Sequence, residues 1–176
     1  MISVNNVTLS FGKRVLFDEV NLNFVKGNCY GIVGANGAGK TTFLKIISGE
    51  IEPIKGSISF TPGERMAVLN QDQFQFEEIS ALNTVMMGHK KMWNTMLEKD
   101  AIYMKEDFNE EDGMKAGHLE AEVGEMGGYT AESDAATLLN ELGVADDLHQ
   151  LLMKDIGANI KVRVLLAQAL FGNPDI

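Results

Sequence analysis

Residues 34–42 read GANGAGKTT, a stretch that satisfies the pattern G-x-x-x-x-G-K-[ST] with Gly34, Gly39, Lys40 and Thr41 in the fixed places. Glycines let a backbone wrap closely around a polyphosphate and adopt positive φ angles. The N–H groups of such a loop, and the N-terminus of the helix after it, then point toward phosphate oxygens. The motif predicts a phosphate-binding loop in which Lys40 reaches the β- and γ-phosphates and the Thr41 hydroxyl helps to hold Mg²⁺.

The residues on either side of the loop have the arrangement that this motif requires. Residues 29–33 form a short apolar run, which predicts a buried strand. Residues 41–48 carry one apolar helical face, and Gly49 is placed to end that helix. A strand, a glycine loop and a helix in this order favour a phosphate site over a flexible glycine-rich turn.

Length and composition predict an ordinary globular domain. The chain has 176 residues, 45% of them hydrophobic and 23% charged. No apolar run approaches the roughly 18–20 residues of a membrane span, and the N-terminus lacks the basic start and apolar core of a signal peptide. The single cysteine, Cys29, lies in the predicted strand, so we expect an inert core thiol and a cytoplasmic protein.

Negative charge is concentrated in one part of the chain. The formal net charge is −10, and residues 98–134 hold twelve acids against three lysines. Such a surface disfavours a broad nucleic-acid-binding face. It fits a solvated helical face, the commoner case, or a basic protein partner.

Three blocks follow from the hydrophobic patterns, at residues 1–78, 79–158 and 159–176. Alternation in the first 27 residues predicts antiparallel strands joined by a turn at Gly12, and short strands are predicted at 57–60 and 66–70. Helices are predicted over 110–123 and 131–142, and a final helix over 160–171 is apolar almost all round, which predicts burial. The predicted helix breaks are Gly113, Gly124, Gly127 and Gly128.

Four ordered stretches carry a resemblance to a known family. VTLSFGKRVLFDEVNLNF is similar to the opening strands of ATP-binding cassette proteins, and GANGAGKTTFLKIISGEIEPIKGSI to their phosphate loop and downstream turn. MAVLNQDQ resembles the Q-loop, and KVRVLLAQALFGNPDI the helix after the signature motif. The chain most closely resembles the first cassette of the YbiT-like branch of the ABC-F subfamily, which comprises soluble twin-cassette ATPases that act on ribosomes.

The resemblance implies an α/β fold of the P-loop NTPase cassette type. It would combine an antiparallel β subdomain and a partial RecA-like core with a helical subdomain, and it would stop before the Walker B strand. The implied ligands are ATP and Mg²⁺, with Phe11 stacking on adenine and Thr41 and Gln71 holding the metal; Gln73 is a rival to Gln71. The implied phosphate-loop contacts are Gly34, Ala35, Asn36, Gly37, Ala38, Gly39, Lys40, Thr41 and Thr42, of which Asn36 and Ala38 would contribute only backbone N–H groups.

The chain departs from the family pattern in two places. The signature L-S-G-G-x is replaced by IGANI at residues 156–160, which lacks the serine that caps the nucleotide of the opposite cassette. The sequence also stops at NPDI, where relatives continue into a strand that supplies a catalytic Asp and Glu, and later into a switch histidine and a second cassette. We therefore expect a fragment that binds nucleotide without useful turnover and exposes a sheet edge open to self-association.

Five charged or titratable side chains are expected to have ordinary surface positions. This applies to His89, His118 and His149, and also to Lys161 and Arg163, for which a role near the nucleotide is the less favoured alternative.

Three functional hypotheses remain open at this stage. In the first, the chain belongs to an ABC-F ATPase that works in translation, and residues 90–128 form the arm insertion that contacts ribosomal components in relatives. The alternative for that segment is a solvated helical hairpin. In the second hypothesis, the chain is the ATPase subunit of a membrane transporter and binds its membrane partner near the Q-loop. In the third, it is a non-catalytic nucleotide-binding or interaction module.

Overall fold

The computed structural model describes residues 1–69 and 75–176. Within these residues the chain divides into a first unit, residues 1–66 together with Ile176, and a second unit, residues 67–175. The sequence patterns placed a boundary near residue 78 and a separate last segment, whereas residues 159–175 here lie within the second unit.

A three-stranded antiparallel sheet forms most of the first unit. Its strands are β1 (Ile2–Phe11), β2 (Arg14–Phe24) and β3 (Lys55–Phe60), in the order β2-β1-β3. Gly12 has a φ of +60°, which suits the tight turn between β1 and β2. The predicted antiparallel strands at the start of the chain, and the predicted strand at 57–60, are therefore confirmed.

One helix, α1 (Lys40–Ile47), covers the apolar face of this sheet. Side chains from β1 and α1 form the buried core of the unit: Ile2, Val4, Val7, Leu9, Phe43, Ile46 and Ile47. Gly49 ends α1 as predicted, because its φ of +77° turns the chain so that the N–H of the next residue, Glu50, donates back to the carbonyl of Lys45 at 2.9 Å.

Two predicted strands of the first block are wrong. Residues 29–33 and 66–69 have no strand structure, and Asn70, the last residue of the second prediction, lies outside the described residues. Hydrophobicity alone suggested burial for 29–33, but the sheet does not include this segment, so Val33 is 96% exposed. Cys29 is exposed for the same reason, which corrects its assignment as a core thiol.

The second unit is helical. Its helices are α2 (Ala81–Met86), α3 (Lys90–Tyr103), α4 (Glu110–Glu125), α5 (Ala131–Glu141) and α6 (Ala158–Leu170). α2, α5 and α6 pack around one apolar core, to which α3 contributes Met92. No helix in residues 1–69 and 75–176 has both the length and the apolar character needed to cross a membrane.

The predicted helices of the second unit are confirmed, but two details are wrong. Gly113 and Gly124 lie inside α4 and do not break it, because one helical glycine costs only about 1 kcal/mol relative to alanine and neighbouring contacts outweigh that. α6 is not buried all round: Val164 and Leu165 face the core, whereas Val162 is 48% exposed. The apolar surface of α6 is therefore larger than the part of it that neighbouring side chains cover.

Two charged or titratable side chains predicted for the surface are buried. His149 follows a short 3-10 turn, and its Nε2 lies 3.1 Å from the carbonyl oxygen of Val144. Lys161 lies on the buried side of α6, with its Nζ 3.7 Å from a carboxylate oxygen of Glu77. In both cases a specific partner offsets the cost of burying a polar group, and sequence periodicity does not identify that partner.

Candidate functional site

Two glycines with positive φ shape the glycine-rich loop. Gly37 has a φ of +80° and Gly39 a φ of +97°, a region that residues with a side chain rarely adopt. Within the loop, the N–H of Ala38 donates to the carbonyl of Ala35 at 3.1 Å. Gly39 is the N-cap of α1, and its carbonyl accepts the N–H of Phe43 at 2.8 Å. The loop therefore passes directly into the N-terminus of a helix, where anions are favoured.

Lys40, the first residue of α1, turns its side chain back into the loop. Its Nζ donates to the carbonyl oxygens of Gly34 at 2.8 Å and of Ala35 at 2.9 Å. The first two residues of the loop thus hold the ammonium group of Lys40.

An open depression of about 510 Å³ lies beside the loop. Two of the residues that line it are cationic, two carry hydroxyl groups and none carries a carboxylate. The lining residues are Phe11, Arg14, Leu16, Asn36, Gly37, Gly39, Lys40, Thr41 and Thr42. A depression of this chemistry favours a ligand that combines negative charge with an apolar or aromatic part.

The apolar part of the depression comes from the β1–β2 turn. Phe11 is the last residue of β1 and is 56% exposed, so its ring is accessible at the wall of the depression. Arg14 pairs directly with Phe11 across the turn, and Leu16 follows on β2. The sequence analysis missed both Arg14 and Leu16. The glycine turn was the available signal, because it implies that the residue after the turn faces the residue before it.

The structure brings together most of the residues predicted for the site. Phe11, Asn36, Gly37, Gly39, Lys40, Thr41 and Thr42 line the depression. Gly34 and Ala35 are not among its lining residues and act through the carbonyls that hold Lys40. Ala38 was expected to offer its N–H to a ligand, but that N–H already donates within the loop.

Gln71 and Gln73, the two candidate Q-loop residues, lie outside the described residues. In the described part of the chain, no group of three or more His, Cys, Asp or Glu side chains could hold a metal ion. Magnesium ions bound with phosphates keep mostly water and phosphate oxygens as ligands, with only one or two from the protein. The exposed Thr41, at the start of α1, is the described residue whose type and position fit that role.

The degenerate signature segment lies at the start of α6. Ile156 is buried, and Gly157 is the N-cap of α6 without a side-chain cap. Asn159 is exposed on the first turn. Further along α6, the guanidinium of Arg163 donates to the carbonyls of Leu142, at 3.2 Å, and Gly143, at 3.0 Å. Arg163 is exposed, as expected, and it also ties α6 to the end of α5.

Helices α3 and α4 form the segment that the sequence suggested as an arm. They pack side by side over a small core of Ile102, Ala116 and Leu119. Ion pairs join the two helices at three levels: Lys91–Glu122 at 2.7 Å, Glu98–Lys115 at 2.7 Å and Lys99–Glu120 at 3.0 Å. The hydrogen bond that Lys99 donates to the carboxylate of Glu120 is the main reason that the pKa of Lys99 is raised.

The tip of this hairpin combines apolar and acidic side chains. Tyr103 and Phe108 stack with their ring centroids 6.0 Å apart, and Met104 is 84% exposed. Asn109 caps α4 through a capping box that includes Asp112. The hydrogen bond from Lys105 to Asp112 lowers the pKa of that carboxyl. The acids noted in the sequence are thus partly paired across the hairpin and partly solvated.

Comparison with known proteins agrees with this architecture. The family model described as "ABC transporter" matches residues 17–176. The chain is 58% identical over all its residues to "Uncharacterized ABC transporter ATP-binding protein YkpA" of Bacillus subtilis, and 48% identical to "Probable ATP-binding protein YbiT" of Escherichia coli O157:H7. It spans 33% of the length of each of these two relatives.

A further relative and a solved structure extend the comparison. "Energy-dependent translational throttle protein EttA" of Escherichia coli K12 is 34% identical over 129 residues, which cover 68% of this chain and 22% of EttA. The solved ATP-binding subunit of an ABC transporter aligns over 99% of this chain and 63% of its own, with a TM-score of 0.67 at 17% identity, a likeness of fold alone. Together with the glycine-loop geometry, these findings confirm the cassette fold and the resemblance to YbiT-like ABC-F proteins: the chain belongs to the ATP-binding cassette family.

Proposed function

We propose that residues 1–176 bind ATP with Mg²⁺ at the glycine loop. The observation that carries this proposal is the loop itself, in which Gly37 and Gly39 have positive φ and Lys40 leads into α1 beside the depression. The names of the relatives YkpA and YbiT, which describe ATP-binding proteins, support the same ligand. A lining with two cations and no carboxylate suits a polyphosphate.

Each residue of the site has a role in this proposal. Phe11 offers its exposed ring to the adenine. The loop residues that line the depression, from Asn36 to Thr42 without Ala38, offer backbone N–H groups and hydroxyls to the phosphates. Thr41 and Gln71 are the proposed protein ligands of Mg²⁺, which neutralises phosphate charge when bound. Gly34 and Ala35 position Lys40.

Titration calorimetry with MgATP tests the proposal, and the chain offers a matched control on the same helix. Lys40 and Lys45 both lie in α1, but only Lys40 lines the depression; Lys45 is half exposed, 3.8 Å from Glu50. We expect Lys40→Ala to weaken MgATP binding at least about tenfold, because a charge-assisted contact to phosphate is lost. Lys45→Ala removes the same charge from the surface and should bind like the wild type. Equal affinities for the two variants, or no binding by the wild type, would refute the proposal.

We further propose that the parent protein acts on the ribosome in translation. The support is the similarity to EttA, whose name describes a translational throttle protein, and the paired helices α3 and α4 at the position expected for an arm. Because the chain spans a third of YkpA and YbiT, this activity concerns the longer protein. A second cassette as partner, self-association through a sheet edge and a cytoplasmic location remain predictions.

The transporter alternative rests on the family description and on the name of YkpA. Co-sedimentation distinguishes the two proposals. The parent protein with MgATP is spun with purified ribosomes and, separately, with membrane vesicles from the same cells, each with and without deletion of residues 90–128. Retention by ribosomes that depends on this segment supports the translation proposal. Retention by vesicles alone would overturn it in favour of a transporter.

A further inference from the structure

The side chain of Arg14 links the sheet to Gly37, which we call the crest of the glycine loop. Arg14 is the first residue of β2, and its Nη2 donates to the carbonyl oxygen of Gly37 at 3.0 Å. Within residues 1–69 and 75–176, this is the one side-chain hydrogen bond that Arg14 makes. The sequence pattern alone assigns no role to this side chain.

We infer that Arg14 is a positioning residue for the phosphate loop, an inference that rests on the proposed ATP site. Gly37 is exposed, has a φ of +80°, and has open space where a side chain would project. Packing therefore does little to hold the backbone at this point. The bond from Arg14 supplies the missing restraint, and it fixes the loop crest relative to the turn that also presents Phe11.

The chemistry of arginine suits this position. A guanidinium is always charged and has five donors in a rigid plane, so one N–H can hold a carbonyl while the others remain directed elsewhere. Because Arg14 also lines the depression, it adds its charge to that of Lys40 on the side of the β1–β2 turn. One side chain thus restrains the loop and adds to the attraction for an anion.

Amide hydrogen exchange tests the restraint without any ligand. The reporter is the N–H of Ala38, which is bonded to Ala35 within the loop. If Arg14 holds the loop crest, Arg14→Ala and Arg14→Gln should both speed exchange of peptides covering residues 34–39, by about tenfold. Arg14→Lys keeps a donor and should give an intermediate rate. Lys13→Ala, which removes a neighbouring charge outside the lining of the depression, should leave the exchange unchanged.

The same variants are titrated with MgATP. We expect the dissociation constant to rise about tenfold for Arg14→Ala and Arg14→Gln, less for Arg14→Lys and not at all for Lys13→Ala. Unchanged loop exchange would overturn the inference, even with weaker binding, because Arg14 would then act only by direct contact with the nucleotide. Faster exchange with unchanged affinity would overturn it as well. If the wild type binds no MgATP but Arg14→Ala speeds exchange, the proposed function fails while the restraint by Arg14 stands. Protection of β1 amides in every variant verifies that the first unit is folded.

Discussion

Replacing Gly39 by alanine perturbs the loop in a way that can be predicted from two geometric facts. Gly39 has φ +97° and ψ 9°, so an alanine there would be held in a left-handed conformation. A Cβ at this position would lie 3.0 Å from Cζ of Phe17. The neighbouring ring must therefore give way by a few tenths of an ångström, and Phe17 is partly buried against Phe43, with ring centroids 5.4 Å apart, which opposes that shift.

These two facts give an expected magnitude. A left-handed conformation costs an L-residue about 1–2 kcal/mol, and overpacking costs about 1–3 kcal/mol. We therefore expect Gly39→Ala to destabilise the first unit by about 2–5 kcal/mol. Gly37→Ala carries the same backbone cost but meets nothing within 4 Å, so it should lose only about 1–2 kcal/mol. Gly34→Ala meets an ordinary contact at 3.4 Å without positive φ and should change stability least.

Hydrogen exchange of the β1 and α1 amides measures the free energy of opening in the first unit. Trp93, the single tryptophan, lies in the second unit. Its fluorescence should not change in these variants and provides an internal control. The expected order of destabilisation is Gly39, then Gly37, then Gly34. An equal loss for all three variants, or a larger loss at Gly37 than at Gly39, would show that the contact with Phe17 does not constrain the loop.

Three further predictions concern other parts of the molecule. Leu139→Ala, in the core of the second unit, should cost about 2–5 kcal/mol, measured by urea unfolding followed by Trp93 fluorescence; a loss below about 1 kcal/mol would contradict the packing around it. Cys29 should react fully with a maleimide under native conditions, because it is exposed; a requirement for denaturant would indicate burial. The depressed pKa of Asp112 means that its contribution to stability is complete above the unfolded value of about 4 and is lost as pH falls through the lower folded value. Below about pH 4, the melting temperature should therefore fall more steeply with decreasing pH in the wild type than in Asp112→Asn. Parallel plots of melting temperature against pH for the two proteins would show that the ion pair between Asp112 and Lys105 does not stabilise the fold.

The sequence predicted the elements whose local pattern and tertiary environment agree. The alternation in β1 and the spacing around Lys40 are local signals, and both appear in the structure where they were expected. Residues 29–33 show the limit of such signals, because an apolar run becomes a buried strand only if other strands flank it.

Buried polar groups show a second limit. Lys161 and His149 were expected on the surface because their residue types usually lie there, but each is buried beside a partner that is distant or irregularly spaced in sequence. Arg14 was missed for a related reason. Its contact with Gly37 joins residues from different elements, so it depends on the exact register of the β1–β2 pairing.

The way in which Lys40 is held has a consequence for ligand choice. Two of its three N–H donors are engaged by the carbonyls of Gly34 and Ala35. Any anion that draws the ammonium away must compensate for both bonds. A singly charged group does this poorly, whereas a chain of phosphates offers several oxygens at once. We therefore expect selection at this lysine to depend on how many negative charges a ligand carries.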